Sequence, residues 1–187
     1  TGTACYPSWD RDRHSTAEIL EPHEGSPLIL GFDWGTTPSC TIWQNVGGQW
    51  LGLAEIVESN TRIIQFAPKV KRFIAQRFPW AMADDGPGII AWGDPQGGWG
   101  NEHDGNTSFK IMKSAAGITV RTPAGIEKDN PQIRLEIGDK LMTETLSDGR
   151  PRIICSRHPT RGMPRFCKAM AGGYVLKKFK VEGTEKT

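Results

Sequence analysis

Two aspartates stand where this sequence can most readily build chemistry. Asp33 closes the apolar run Leu28-Ile29-Leu30-Gly31-Phe32, and Asp94 closes Gly88-Ile89-Ile90-Ala91-Trp92-Gly93. Both runs read as buried strands. In open α/β sheets, sites form beyond the carboxyl ends of strands. If these two strands are neighbours, the carboxylates converge. Two converging carboxylates repel unless a cation lies between them. Hard oxygen ligands favour magnesium or manganese. A pair of such ions would activate water and stabilise the leaving oxygen of a phosphodiester. Taken singly, each residue is ordinary turn chemistry, because Asp beside Gly or Pro commonly opens a turn. Only the pairing of two strand ends favours a site.

The remaining candidates are fewer. Arg161, Arg165 and Lys168 recur at near-helical spacing in a basic last third. They would meet phosphates from one helix face, or form that helix's solvated side. Trp34, Trp92 and Trp99 flank the aspartates. Trp92 lies inside a strand and reads as core. Trp99, in the glycine-rich Gln96-Gly97-Gly98-Trp99-Gly100 loop, reads as an exposed aromatic able to stack on a base or sugar. Cys155, His158 and Cys167 form a Cys-x2-His…Cys pattern. Structural zinc needs four ligands in short pairs, and only one short pair exists. All four cysteines are therefore read as reduced, with Cys155 and Cys167 as buried thiols. His158, before Pro159, reads as a helix-entry residue. His103 lies in the loop after Asp94. Asp104 and Asp129 read equally as site neighbours or helix N-caps.

These groups need a scaffold, and the chain of 187 residues is the length of one ordinary domain. No run approaches the length of a membrane span, and no apolar signal segment opens the chain. The net charge of +2 neither requires nor excludes nucleic acid. Residues 1–27, with three prolines and no periodicity, read as a leader or linker, and 28–187 as the folded domain. Strands are expected at Leu28–Phe32, Ser39–Val46 and Gln49–Val57, with Gly47-Gly48 as a hairpin turn. A helix follows, marked by Phe66, Val70, Ile74 and Phe78, with Pro68 in its first turn and Pro79 as its stop. Next come the Gly88–Trp92 strand, a helix over 106–116 capped by Gly117, and a short strand at 118–120. A helix then opens at Pro131 with the stripe Ile133, Ile137 and Leu141. Strand Arg152–Cys155, a helix over 159–170 whose start Pro164 delays, and a last strand near 174–179 complete the order. A meander followed by alternating helices and strands implies an α/β fold, a mixed sheet with helices on both faces.

The motifs also carry a resemblance. Gly31-Phe32-Asp33-Trp34-Gly35-Thr36-Thr37-Pro38-Ser39 resembles the first nuclease motif of the large terminase subunits of tailed bacteriophages, G-x-D-x-G-x-x-P. Gly93-Asp94-Pro95 resembles the second acidic motif. Glu55 in Leu53-Ala54-Glu55 and the Phe66-Ala67 helix lie between them. Gly117-Ile118, Pro123, Asp129-Asn130, Arg134 and Gly173-Tyr174 follow in order. The resemblance spans roughly 28–180 and implies a ribonuclease-H-like three-layer sandwich. It implies a metal-dependent endonuclease that cuts concatemeric viral double-stranded DNA during packaging in the host cytoplasm. Asp33 and Asp94 would be catalytic ligands for two Mg²⁺ or Mn²⁺ ions. The terminase ATPase domain, small terminase subunit and portal protein would be partners. The third acidic ligand of such proteins has no match here and is expected beyond the chain end. No Walker motif is present. Two other readings stand beside this one. Asp33-Trp34-Gly35-Thr36-Thr37 also resembles the phosphate-binding stretch of actin-like sugar kinases, and a catalytically dead DNA-binding or portal-docking module would use both aspartates as turn residues.

Overall fold

A computed structural model describes residues 3–98, 106–123, 131–173 and 175–176. Seven strands form one mixed sheet in the order β2-β8-β5-β4-β3-β6-β7. Its centre is the expected meander: β3 (Leu28–Asp33), β4 (Ser39–Val46) and β5 (Gln49–Val57). Gly47 and Gly48 both take positive φ, 57° and 85°. That is the conformation a two-residue hairpin turn needs, and it is open to glycine without strain. One extra residue, Leu53, sits in β5 where Ile42 pairs with Ala54 and Trp43 with Gly52. This bulge turns Leu53 into the core.

β6 (Ile89–Gly93) adds to β3 in parallel, and β7 (Val120–Arg121) adds to β6. On the other side β8 (Ile153–Ser156) runs parallel to β5. Helices α2 (Ile63–Arg77) and α3 (Ser108–Ile111) cover one face. There Leu28, Leu30, Phe32, Cys40 and Ile42 meet Phe66, Val70 and Ile74 in the main core. The period-two pattern of β3 and β4 and the four-residue spacing of α2 produce this match. Pro68 lies in the second turn of α2, not the first. It cannot donate to the Ile64 carbonyl, and it is tolerated on the exposed side of the helix.

A smaller core lies on the opposite face, under α4 (Pro131–Thr143) and α5 (Pro164–Lys168). Met142, Ile153, Cys155, Met163, Cys167 and Met170 form it, with Trp43, Trp50 and Phe166 alongside. Helices on both faces give the three-layer α/β arrangement expected. The expected stripe on α4 is not its buried side. Ile133 and Ile137 are exposed, while Met142 is buried and Gly138 sits against Tyr6. A Cβ at Gly138 would come within 2.5 Å of the Tyr6 ring, so the small residue sets the packing side. Pro164 opens α5 at its first position, and a wide turn at Ala169–Gly173 follows.

The segment 3–27 is woven into the domain, contrary to the leader expected there. β1 (Thr3–Ala4) pairs with β9 (Val175–Leu176), and β2 (Ser15–Thr16) extends the main sheet beside β8. Between them, α1 (Arg11–His14) buries His14. Both strands are two residues long, too short to carry a period. His14 is a polar core residue, which no apolar pattern announces. Among the described residues no helix is long and apolar enough to cross a membrane.

Candidate active site

The ladder between β3 and β6 brings the two aspartates together. Phe32 pairs with Gly93, and the Asp94 N–H donates to the Phe32 carbonyl at 3.3 Å. Asp33 and Asp94 are thus in register on neighbouring parallel strands. Alternation points both away from the Phe32 core, onto the opposite face. Ser39 is the cross-strand partner of Asp33 on β4. One pair further down lie Thr41, Gly31 and Trp92. These residues and Pro123 line a cavity of about 410 Å³ at the carboxyl ends of the strands. Gly31 forms its floor, since a Cβ there would reach within 2.9 Å of the Thr41 hydroxyl.

The Asp94 turn is locked from behind. The Trp34 indole stacks on Phe32, with centroids 5.2 Å apart, and its N–H donates to the Asp94 carbonyl at 3.0 Å. The same carbonyl accepts from Gly97 N–H at 3.0 Å, and Asp94 Oδ1 accepts from Gln96 N–H at 2.9 Å. The glycines of the motif have a steric cause. A Cβ at Gly93 would lie 2.7 Å from the Trp34 ring, and one at Gly97 would lie 2.2 Å from its Nε1. Trp34 is therefore a positioning residue for the Asp94 turn. The Asp33 side chain is exposed and has no hydrogen bond or ion pair among the described residues.

Trp92, expected in the core, is 36% exposed, and Ile90 below it is 41% exposed. β6 is buried on one face only, and an apolar run alone does not distinguish that from a strand buried on both. Trp99, together with His103, Asp104, Asp129 and Tyr174, lies outside the described residues. Arg161, Arg165 and Lys168 are all exposed. Arg165 and Lys168 project from α5, and Arg161 lies in the preceding turn, where its carbonyl accepts from Arg77.

Glu55 has no role that its sequence context assigns. It lies on the same face as Thr41, its partner across β4 and β5. Its two oxygens accept from Arg165 N–H at 2.7 Å and Phe166 N–H at 2.9 Å. These are the open amides of the first turn of α5, whose N-cap Met163 supplies no side-chain bond. Glu55 therefore seats α5 against the sheet. His158 closes a turn, its Nδ1 accepting from Arg161 N–H at 3.2 Å. All four cysteines are free and buried. Burial pushes the Cys40 thiol far up, and burial together with the Cys167 sulfur raises Cys155. Cys167 is held below the usual thiol range, first by the hydrogen bond from Cys155. No group of three or more His, Cys, Asp or Glu able to hold a metal occurs among the described residues. The site as described is a carboxylate pair with two hydroxyls, Ser39 and Thr41, beside it.

No family model matches the chain. No curated protein matches it either. Solved structures do. The large terminase from a thermophilic bacteriophage superposes with a TM-score of 0.53 at 17% identity, covering 75% of this chain and 32% of that one. The same terminase in complex with ADP gives the same TM-score and identity, with 33% of that chain covered. The P22 large terminase nuclease domain gives a TM-score of 0.50 at 10% identity, covering 92% of this chain and 91% of that one. The chain thus spans about a third of the thermophilic phage's terminase and nearly all of the P22 domain. It has the fold of a large terminase nuclease domain.

Proposed function

We propose that this domain is a divalent-metal-dependent DNA endonuclease that cuts concatemeric viral double-stranded DNA during genome packaging. One observation carries the reading: Asp33 and Asp94 stand in register at adjoining strand ends, on an open face, over a cavity. The Asp94 carboxylate also closes its own turn through the Gln96 N–H, whereas the Asp33 side chain makes no bond among the described residues. Their mutual repulsion is a cost that a bound cation would remove.

The donor set fits Mg²⁺ or Mn²⁺. Magnesium is commonly held by one or two carboxylates, with water and substrate phosphate filling its other positions. Asp33 and Asp94 would hold the metal, as one ion or as a pair completed by a further ligand. Once bound, the metal would supply Lewis-acid stabilisation of phosphate charge and lower the pKa of water. The chain's own residues do the rest. Trp34, Gly93 and Gly97 fix the Asp94 turn, and the Gln96 N–H orients its carboxylate. Ser39 and Thr41 set hydroxyls beside the phosphate position. Arg161, Arg165 and Lys168 hold the DNA backbone through phosphates, which carries no sequence preference. The rest of a terminase complex, namely the ATPase domain, small subunit and portal, would choose where cutting occurs.

The test is cleavage of supercoiled plasmid with Mn²⁺, Mg²⁺ or EDTA, by the parent, Asp33→Asn and Asp94→Asn. Metal-dependent nicking is expected from the parent. Either variant should lose activity by at least about a hundredfold with an unchanged circular dichroism spectrum. A variant that nicks at the parental rate would remove the carboxylate pair from the chemistry. A folded parent that neither nicks nor gains thermal stability from Mn²⁺ would leave the domain a DNA-binding or docking module.

A further inference from the structure

The sheet edge formed by β2 and β8 holds a second cavity, of about 270 Å³. Arg11, Arg157 and Lys168 line it together with Ser15, Pro164, Cys167 and Ala171, and among the described residues no acidic one does. None of the three cations has an ion pair among the described residues. The Arg157 Nε is buried there without a hydrogen-bond partner. A buried guanidinium nitrogen left unpaired is costly, and gathering two further cations around it adds repulsion. The fold nevertheless enforces the arrangement. Asp10 caps α1 through Asp12 N–H and Arg13 N–H, and the Ser15 hydroxyl donates to the Arg11 carbonyl at 2.7 Å. His14 pins the same turn to the Met142 carbonyl at 3.0 Å. β2 pairing with β8 then sets Arg11 beside Arg157, which follows Ser156. Arg157 also helps to hold the Cys167 thiol below its ordinary range, after the hydrogen bond from Cys155.

We propose that Arg11, Arg157 and Lys168 form a phosphate-binding site that takes a backbone phosphodiester of DNA. An anion cancels the repulsion and supplies the acceptor that the buried Nε lacks. The choice of DNA rests on the nuclease reading above and on the layout of charge. β2 is four strands from β3, so the pocket lies roughly 20 Å from Asp33 at about 4.8 Å per strand. In between, the Arg165 amide in the first turn of α5 is bonded to Glu55 of β5, and Lys168 of the same helix lines the pocket, so the two cations form a row from β5 to the pocket. A duplex laid along this row offers a negative charge about every 1.7 Å of its axis. Arg11 comes from the segment whose sequence pattern reads as a leader.

The experiment is binding of a fluorescein-labelled duplex by fluorescence anisotropy in Ca²⁺, over a range of salt. It uses the parent, Arg157→Gln, Arg11→Gln/Lys168→Gln, and Arg72→Gln. Arg72 is an exposed cation on α2, on the other face of the sheet. The expected result is about tenfold weaker binding for Arg157→Gln and for the double variant. The slope of log K against log salt should fall by about one for each phosphate no longer engaged. Arg72→Gln should stay within about twofold of the parent. Thermal melts of every variant exclude unfolding, and Mn²⁺ nicking by the same parent preparation tests the nuclease reading separately. The inference is overturned if the pocket variants bind DNA as Arg72→Gln does. It is equally overturned if inorganic phosphate raises the parent's melting temperature through these residues while DNA affinity ignores them. In that case the pocket serves a free phosphate ligand.

Discussion

Replacing Gly97 by alanine asks whether the Asp94 turn is held as described. The new Cβ would sit 2.2 Å from Trp34 Nε1 and 2.5 Å from its Cε2. Ordinary contact begins near 3.5 Å, so the ring must retreat by about 1.3 Å. A retreat of that size breaks the 3.0 Å bond from the indole N–H to the Asp94 carbonyl. Overpacking of this kind costs roughly 1–3 kcal/mol, and the broken hydrogen bond about 1 kcal/mol. Alanine narrows the unfolded ensemble, which offsets about 0.4–1 kcal/mol. The net loss is about 1–3.6 kcal/mol. In a domain of this length that lowers the melting temperature by roughly 2–14 °C. The assay is a reversible thermal melt of four proteins: parent, Gly97→Ala, Trp34→Ala and the double variant. Without the indole there is room for the methyl, so Gly97→Ala should cost under about 0.5 kcal/mol in the Trp34→Ala background, a clear coupling. If Gly97→Ala melts within about 1 °C of the parent, or costs the same in both backgrounds, the indole does not constrain the turn.

Two further outcomes follow from groups away from the carboxylates. His14 is buried and its pKa is lowered, chiefly by desolvation, from the ordinary 6.5. Its Nδ1 accepts from the Asp10 N–H, so Nε2 carries the proton given to Met142. The unfolded chain binds a proton here more readily than the folded one. Stability is therefore whole above about pH 6.5 and falls as pH drops below it; urea titrations from about pH 7.5 to 5 should show this slope, and His14→Gln should remove it. Glu55→Ala strips both acceptors from the first turn of α5 and should lower urea stability by about 1–2 kcal/mol, while Glu55→Gln should recover part of it. If Glu55→Ala unfolds at the parental urea midpoint, the carboxylate does not seat the helix.

What the sequence makes legible, and what it hides, divides along physical lines. The meander is readable because β4 opens by alternating from Ser39 to Ile42, β3 is an apolar run, and Gly47-Gly48 favours a tight turn. α2 is readable from Phe66, Val70, Ile74 and Phe78. Asp33 and Asp94 can be singled out because each ends such a strand, but their register cannot. Pairing between β3 and β6 is a long-range property of the sheet. The buried face of α4 escapes the pattern because Gly138, not the isoleucines, decides the approach to Tyr6. Trp92 escapes it because an apolar run does not say whether one face or two are covered. The strands at 3–4 and 15–16 are invisible, since two residues hold no period and their stability comes from partners about 140 to 170 residues away. Glu55 stands among motifs that resemble a nuclease. Only the geometry shows that both its oxygens belong to the amides of α5.

The same sheet face is treated in two ways, and the difference explains the location of the site. Over β5 and β8 that face is sealed by α5, which Glu55 anchors, and Trp43, Met163 and Phe166 pack beneath it. Over β3 and β6 no described residue seals it, with Ile90 and Trp92 exposed and Gly31 offering no side chain. A fully covered face would bury Asp33 and Asp94 together, at the cost of desolvating two like charges. A fully bare face would give them no wall and no neighbouring cations. Between these limits the carboxylates stand in a cavity lined from β3, β4, the Gly93–Pro95 turn and Pro123. Further along the same face α5 carries Arg165 and sets Lys168 into the pocket of Arg157 and Arg11. Removing the anchor should therefore disturb more than stability. Glu55→Ala, assayed well below its melting temperature, should weaken DNA binding through the displaced cations while leaving the Mn²⁺-induced thermal shift at Asp33 and Asp94 intact. Loss of both together would mean that α5 also shapes the carboxylate pair, and retention of both would mean that its cations do not touch DNA.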